Sequence, residues 1–112
     1  MELAIIMIDD VVSIVLKGRI DANTAPVIEQ KLLSLISEGA QKLVTDLSEV
    51  WFISSAGLKA LLVALKEAKR EKGDLLLAGV QAEVREVLEL TGFSTIFKVY
   101  ACAEDAAQSF SE

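Results

Sequence analysis

Short apolar segments alternate with amphipathic helical segments along most of this chain, and this alternation limits the folds open to it. Two apolar, β-branched runs come first, Glu2–Ile8 and Val11–Leu16, and the pair Asp9–Asp10 between them predicts an antiparallel hairpin. After the hairpin, strands and helices alternate, which is typical of parallel strands joined by right-handed crossovers. The sequence therefore predicts an α/β fold with a mixed sheet, in which helices link parallel strands after an N-terminal antiparallel hairpin.

The bounds of the later elements follow from hydrophobic spacing and from the glycines that end helices. The predicted strands after the hairpin are Lys42–Leu47, Leu75–Ala78 and Thr95–Val99. The predicted helices are Thr24–Glu38, Ser55–Lys72, Gln81–Thr91 and Glu104–Phe110. The second helix has the clearest pattern, because its leucines fall on one face and its lysines on the other.

Length and composition predict one globular domain over residues 1–112. Apolar residues make up 53% of the chain, which is enough for a core without disulfides, and Cys102 is the only cysteine. A lone cysteine is typical of a reducing compartment, and the N-terminus lacks the pattern of a signal peptide. We therefore expect a cytoplasmic protein. No apolar run approaches the roughly 18–20 residues of a transmembrane helix, so we expect no direct membrane insertion.

Charge and missing residue types argue against several classes of function. The net charge of -6 argues against binding to nucleic acid or to an anionic membrane surface, where phosphates must be neutralised. The chain has no histidine, no Gly-x-Gly-x-x-Gly and no Walker A sequence. A small α/β enzyme or nucleotide binder is therefore disfavoured. We expect a protein that is not an enzyme and has no cofactor and no metal site.

The segment Asp46–Leu58 carries the strongest functional signal. A strand runs through a predicted loop into Ser54 and Ser55, and then into the amphipathic helix. Serine at this point is a preferred helix cap, but a phosphate is also tolerated at a helix N-terminus. Gly57 is a poor helix former, which predicts a close backbone approach or an unusual backbone angle. Lys59 follows Ser55 by about one helical turn and can pair with a phosphate there.

A second polar segment, Gly18–Ala25, follows the second predicted strand. Asp21 is a loop or cap residue in the simplest interpretation, and Asn23 and Thr24 are expected to cap the first helix. Partners of open α/β sheets meet the loops at the carboxyl ends of parallel strands. We therefore expect this segment and Asp46–Leu58 to share one surface.

Trp51 and Phe52 are adjacent in an extended stretch, so their side chains should point to opposite faces. We expect one of them to lie in the core. If Phe52 faces inward, Trp51 lies near the surface beside the serines, either as an interface anchor or packed under the loop.

The two segments together resemble the signature of STAS-domain anti-sigma factor antagonists. In that family a strand ending Asp-Leu-Ser precedes a Val-x-Phe-Ile/Met stretch and then Asp/Ser-Ser-x-Gly-Leu, which matches Asp46–Leu58. The family's Gly-Glu-Leu-Asp-x-x-Thr-Ala matches Gly18–Ala25, and chain length and element order match as well. The resemblance implies that Ser55 is the phosphoacceptor. Ser54 occupies a position that is often aspartate in the family, which makes it a rival acceptor, and Ala56 replaces a serine often found there.

The resemblance implies a regulatory switch. In the family, the antagonist binds an anti-sigma factor that is also a serine kinase, and a sigma factor is released. Serine phosphorylation of the antagonist prevents its binding to the anti-sigma factor, and a metal-dependent serine phosphatase restores this binding. The partner-binding residues that we expect are Asp21, Asn23, Trp51, Ser54, Ser55, Gly57 and Lys59. An alternative role also fits a STAS domain, namely a non-phosphorylated subunit of a membrane lipid or solute transport complex or of a stress-sensing assembly.

Overall fold

The computed structural model describes residues 1–112 and contains one five-stranded sheet. Its strands are β1 (Glu2–Ile8), β2 (Val11–Ile20), β3 (Lys42–Ile53), β4 (Asp74–Ala78) and β5 (Val99–Tyr100). They lie in this order across the sheet. Strand β1 pairs antiparallel with β2, and every other neighbouring pair is parallel. The predicted mixed sheet is therefore confirmed.

Helices cover both faces of the sheet. They are α1 (Ala25–Ser37), α2 (Ser55–Arg70), α3 (Ala82–Thr91) and α4 (Ala103–Ser109). The main core lies between the sheet and helices α1, α2 and α3. Helix α4 packs on the opposite face, where Ala103, Ala106 and Ala107 contact a smaller core that includes Val44 and Leu76. No helix combines the length and the apolar character that a membrane span requires.

Strands β2 and β3 are longer than the sequence pattern predicts. Their expected ends at Leu16 and Leu47 are wrong, because the pairing continues to Ile20 and Ile53. Two register shifts interrupt this extension, so its side chains do not alternate in the simple period of a regular strand. The stretch from residue 48 to residue 53, expected to be a loop, is therefore part of β3.

The last predicted strand is also wrong. Instead of Thr95–Val99, the chain forms a 3-10 turn over Phe93–Thr95 and a two-residue strand, β5. The rings of Phe93 and Phe97 lie 6.2 Å apart, and the N–H of Phe97 donates to the carbonyl of Phe93 at 3.2 Å. The apolar residues of the predicted strand therefore do not extend, because Phe97 packs back on Phe93 across a helical turn.

Candidate functional site

The ends of β2 and β3 bring the two polar segments together. Ile20 and Ile53 are partners in the parallel ladder, and both are buried. Directly after them, the N–H of Ser54 donates to the carbonyl of Ile20 at 2.8 Å. The Asp21 turn and the start of α2 are therefore neighbours at the carboxyl end of the sheet. The predicted convergence of the two segments is confirmed.

The two serines have different positions at the start of α2. Ser54 is the N-cap residue, with extended backbone (φ -90°, ψ 171°), and its Oγ accepts a hydrogen bond from the N–H of Gly57 at 3.2 Å. Ser55 is the first residue of the helix, and its side chain is exposed. The capping hydroxyl and the accessible hydroxyl thus belong to different residues, although the sequence left both roles open to either serine.

Gly57 is buried against the ends of both strands. A Cβ atom at this position would lie 2.5 Å from Cγ2 of Ile20 and 2.9 Å from Cγ1 of Ile53. The predicted close approach to the backbone of Gly57 is confirmed, and the groups that lie close to it are the core side chains of Ile20 and Ile53. Because Gly57 has no side chain, the first turn of α2 packs directly against the ends of β2 and β3. This contact sets the position of Ser55 relative to the sheet.

Asp21 organises the turn between β2 and α1. Its Oδ1 accepts hydrogen bonds from the N–H of Asn23 at 3.0 Å and of Thr24 at 3.1 Å. The bond from Thr24 is the main cause that lowers the pKa of the Asp21 carboxyl, with help from Asn23, the Thr24 hydroxyl and the charge of Arg19. Asp21 is half-buried and presents a carboxylate next to the serine surface.

The expected capping of α1 by Asn23 and Thr24 is wrong in its details. Thr24 stands at the N-cap position, but its side chain makes no capping hydrogen bond. Its Oγ1 instead accepts from the N–H of Asp21 at 2.8 Å and donates to the carbonyl of Arg19 at 3.1 Å. Asn23 is exposed. The carboxylate of Asp21 therefore holds the turn just before α1, while the N–H groups of Ala25 and Val27 in the first helical turn donate to the backbone carbonyls of Asp21 and Thr24.

Trp51 and Phe52 correct another expectation, because neither side chain is in the core. Trp51 is 54% exposed and Phe52 is 38% exposed, while Val50 and Ile53 fill the buried positions on either side. The ladder pairs Gly18 with Val50 and Arg19 with Phe52, so Trp51 is the extra residue of a bulge. A bulge turns a side chain away from the face that strict alternation predicts. Packing of Trp51 under a loop is therefore excluded.

Sequence reasoning missed Arg19 as a member of this surface. Its guanidinium carbon lies 4.4 Å from the centre of the Phe52 ring, a cation–π arrangement. The two residues are opposite each other in the extended ladder, and only the register shift brings them there. No local sequence signal reveals such a pair, since it depends on the bulge at Trp51.

A shallow groove continues the surface beyond Trp51. Its lining includes Lys17, Ser48, Glu49, Trp51 and Gln81. The Nε2 of Gln81 donates to the carbonyl of Ser48 at 2.7 Å, which ties the loop after β4 to β3 as the predicted clustering of loops requires. Lys17 and Glu49 form an exposed ion pair at 3.6 Å.

Lys59 is exposed on α2, one turn after Ser55. Its side chain forms none of the salt bridges within this chain and is free to meet an anion. No group of three or more Cys, Asp or Glu side chains is arranged to hold a metal ion.

Similarity to known proteins agrees with this geometry. Residues 2–106 match the family model of the STAS domain. This chain belongs to the STAS domain family. BtrV of Bordetella bronchiseptica, named as a candidate anti-sigma factor antagonist, is 34% identical over 110 residues, covering 98% of this chain and 95% of that protein. The anti-sigma-B factor antagonist of Bacillus subtilis is 30% identical over 91 residues, covering 81% of this chain and 83% of that protein.

A solved structure extends the likeness to three dimensions. The crystal structure of an anti-sigma factor antagonist from Mycobacterium paratuberculosis superposes on this STAS domain with a TM-score of 0.89 at 29% sequence identity. The match covers 99% of this chain and 94% of that one. The mixed sheet, with its antiparallel first strand, is therefore shared with a solved member of the named class.

Proposed function

We propose that this STAS domain is an anti-sigma factor antagonist, which binds an anti-sigma factor and so releases a sigma factor for transcription. The observation that carries the proposal is the exposed hydroxyl of Ser55 at the N-terminus of α2, on the same surface as the Asp21 turn. The relatives named above support the class of partner. We expect the protein to act in the cytoplasm, where sigma factors work.

Phosphorylation of Ser55 is the proposed off-switch. A phosphoserine carries about -1.5 to -2 charges near neutral pH, and the positive end of a helix dipole stabilises such a group. The domain therefore keeps its fold, because the cap on Gly57 is held by Ser54 and not by the modified residue. The partner, in contrast, meets a bulky dianion in place of a neutral hydroxyl, and binding weakens.

The proposed cycle needs two further proteins. The anti-sigma factor is itself the serine kinase, and a serine phosphatase removes the phosphate and restores the antagonist. In this cycle the present protein is a substrate and a binding partner, and it performs no catalysis and needs no cofactor. The Asp21, Trp51 and Lys59 side chains contribute to docking.

A pull-down from the source organism tests this proposal. The purified protein, Asp21→Ala and a matched surface control, Leu90→Ala, serve as baits, and mass spectrometry identifies the prey and the phosphorylated residue. Leu90 is 80% exposed near the far end of α3, so its loss leaves the proposed surface intact. We expect an anti-sigma factor kinase on the wild-type and Leu90→Ala baits and much less of it on Asp21→Ala. Recovery of transporter subunits instead, with no phosphate on the bait, would replace this proposal by the transport-subunit alternative.

A further inference from the structure

The outer edge of the sheet at β1 is unprotected. Strand β1 has seven residues, its ladder with β2 runs without a register shift, and nothing pairs with its other side. Proteins normally protect an exposed edge with lysine, proline, a bulge or a very short strand. The opposite edge follows this rule, because β5 has only two residues. In β1 the run Leu3–Ile8 contains no charged residue, no proline and no glycine.

The β1 edge also exposes apolar side chains on both faces of the sheet. Ile5 is 38% exposed and Met7 is 57% exposed, on the face that carries α1 and α2. Ile6 is 50% exposed on the opposite face. A long, regular and apolar edge of this kind is a template for pairing with another strand.

We propose that the β1 edge binds a second copy of this chain, so that two β1 strands pair antiparallel about a two-fold axis and form one ten-stranded sheet. This occupant follows from the strand itself. The register centred on Ile5 pairs all of Glu2–Ile8 with its own copy, because residues 2 and 8 are equidistant from residue 5. It places Leu3 opposite the partner's Met7 on one face and Ala4 opposite the partner's Ile6 on the other.

Charge selects the same register. A pairing centred on Ile6 would place Glu2 opposite Asp10 of the other copy, and like charges directly opposite are unfavourable. A parallel pairing would place Glu2 beside its own copy. A register centred on Ala4 loses two of the seven residues from each strand. The arrangement centred on Ile5 avoids the carboxylate pairs and keeps the whole apolar run.

The predicted dimer is weak and leaves both proposed docking surfaces open. A stable interface buries about 800 Å² on each partner, and a single strand of seven residues is a small contact by comparison, so we expect the dimer to dissociate on dilution. In an antiparallel pairing, the carboxyl ends of β2 in the two copies point in opposite directions. Ser55 and Asp21 of each copy therefore stay accessible to separate anti-sigma factors.

Sedimentation over a range of concentrations and cysteine cross-linking test the β1 dimer on the purified full chain, in a Cys102→Ser background. The predicted register brings the two Ile5 Cα atoms to about 4.5–5.5 Å, within the reach of a disulfide. Ile5→Cys should therefore form a cross-linked dimer on mild oxidation. Leu3→Cys and Met7→Cys should each fail alone, because like residues lie about 14 Å apart, and should cross-link when mixed. The control is Val27→Cys, 57% exposed on α1, which should stay uncross-linked.

A second variant separates pairing from folding. Ile6→Lys places a charge on the edge, as natural edge strands do, and should yield a monomer with a near-unchanged thermal melt. A chain that stays monomeric at the highest soluble concentration would overturn the proposal. Equal cross-linking at Val27→Cys and Ile5→Cys would overturn it as well, since that result means random collision. Cross-linking of Met7→Cys alone would reject the register.

Discussion

At the start of α2, Gly57 occupies a site where any side chain collides with both strand ends. Gly57→Val should destabilise the domain by about 1–3 kcal/mol, the usual range for overpacking a filled core. It should also weaken partner binding, because the first turn of α2 must move away from Ile20 and Ile53, and Ser55 moves with it. Urea unfolding and calorimetric titration with the anti-sigma factor measure the two effects.

Ala56→Val is the matched control for this change, since Ala56 lies in the same turn and is half-exposed. It introduces the same β-branched side chain at a neighbouring position that is not buried. If Gly57→Val and Ala56→Val unfold at the same urea concentration, the close approach has no energetic importance.

Asp21 should make stability depend on pH in the acid range. Its folded-state pKa lies below the ordinary 3.8, chiefly because the carboxylate accepts the Thr24 N–H. The unfolded chain therefore binds the proton more readily, so stability is gained as pH rises through the window below 3.8 and is fully present above it. Asp21→Asn should be less stable than wild type at neutral pH, and this difference should vanish as pH falls through the folded-state pKa.

Urea unfolding of the two proteins at several pH values measures this difference. Two other carboxyl groups also have a lowered pKa: that of Asp10 because of the hydrogen bond from Lys42, and that of Glu67 because of the hydrogen bond from Arg70. They act equally in both proteins, so only the difference reports on Asp21. A difference that stays constant from neutral pH down to the acid end of the folded range would mean that the charge of Asp21 has no role in the turn.

At the scale of elements, hydrophobic spacing predicts what is regular and fails where strands are interrupted. The helix α2 follows its period closely and begins at the predicted residue, and the antiparallel pairing of β1 with β2 is also where the sequence predicts it. The extensions of β2 and β3 contain register shifts, so Val50 and Ile53 are buried three positions apart and no alternation connects them. The position of Trp51 depends on such a shift and could not be inferred from adjacent residues.

The bulge in β3 leads to a prediction about Trp51. Because this side chain is exposed, Trp51→Ala should change the free energy of unfolding by about 0.5 kcal/mol or less. Partner binding should fall by about 2 kcal/mol, the size expected for an exposed aromatic anchor. Leu90→Ala is the control, because it removes an exposed apolar side chain far from the surface. Equal affinities of Trp51→Ala and wild type would remove Trp51 from the docking surface.

For the whole molecule, topology explains why the place of the site was predictable and its details were not. Two segments that follow neighbouring parallel strands must meet at one end of the sheet, whatever their exact bounds. The division of labour between Ser54 and Ser55, in contrast, depends on where α2 begins to within one residue. A helix start is known only approximately from sequence, so both serines had to remain candidates for both roles.

The last prediction is that Ser54 contributes to the stability of the domain, whereas Ser55 controls phosphorylation and partner binding. Ser54→Ala should lower stability by about 0.5–2 kcal/mol, because it removes the cap on Gly57, but should still accept phosphate on Ser55. Ser55→Ala should unfold close to wild type, remain unphosphorylated and bind the anti-sigma factor permanently. Ser55→Asp should fold normally, since an acid is favourable at a helix N-terminus, and bind weakly.

Incubation of the four proteins with the cognate kinase and ATP, followed by intact-mass measurement, unfolding and calorimetric titration, checks each statement. The informative comparison is between the two alanine variants, because one should lose stability and keep the modification, while the other does the reverse. Phosphate on Ser54 in the wild-type protein would contradict this prediction, because it would modify the Oγ atom that caps the N–H of Gly57. In that case phosphorylation would act on the start of α2 itself, and stability and binding would fall together.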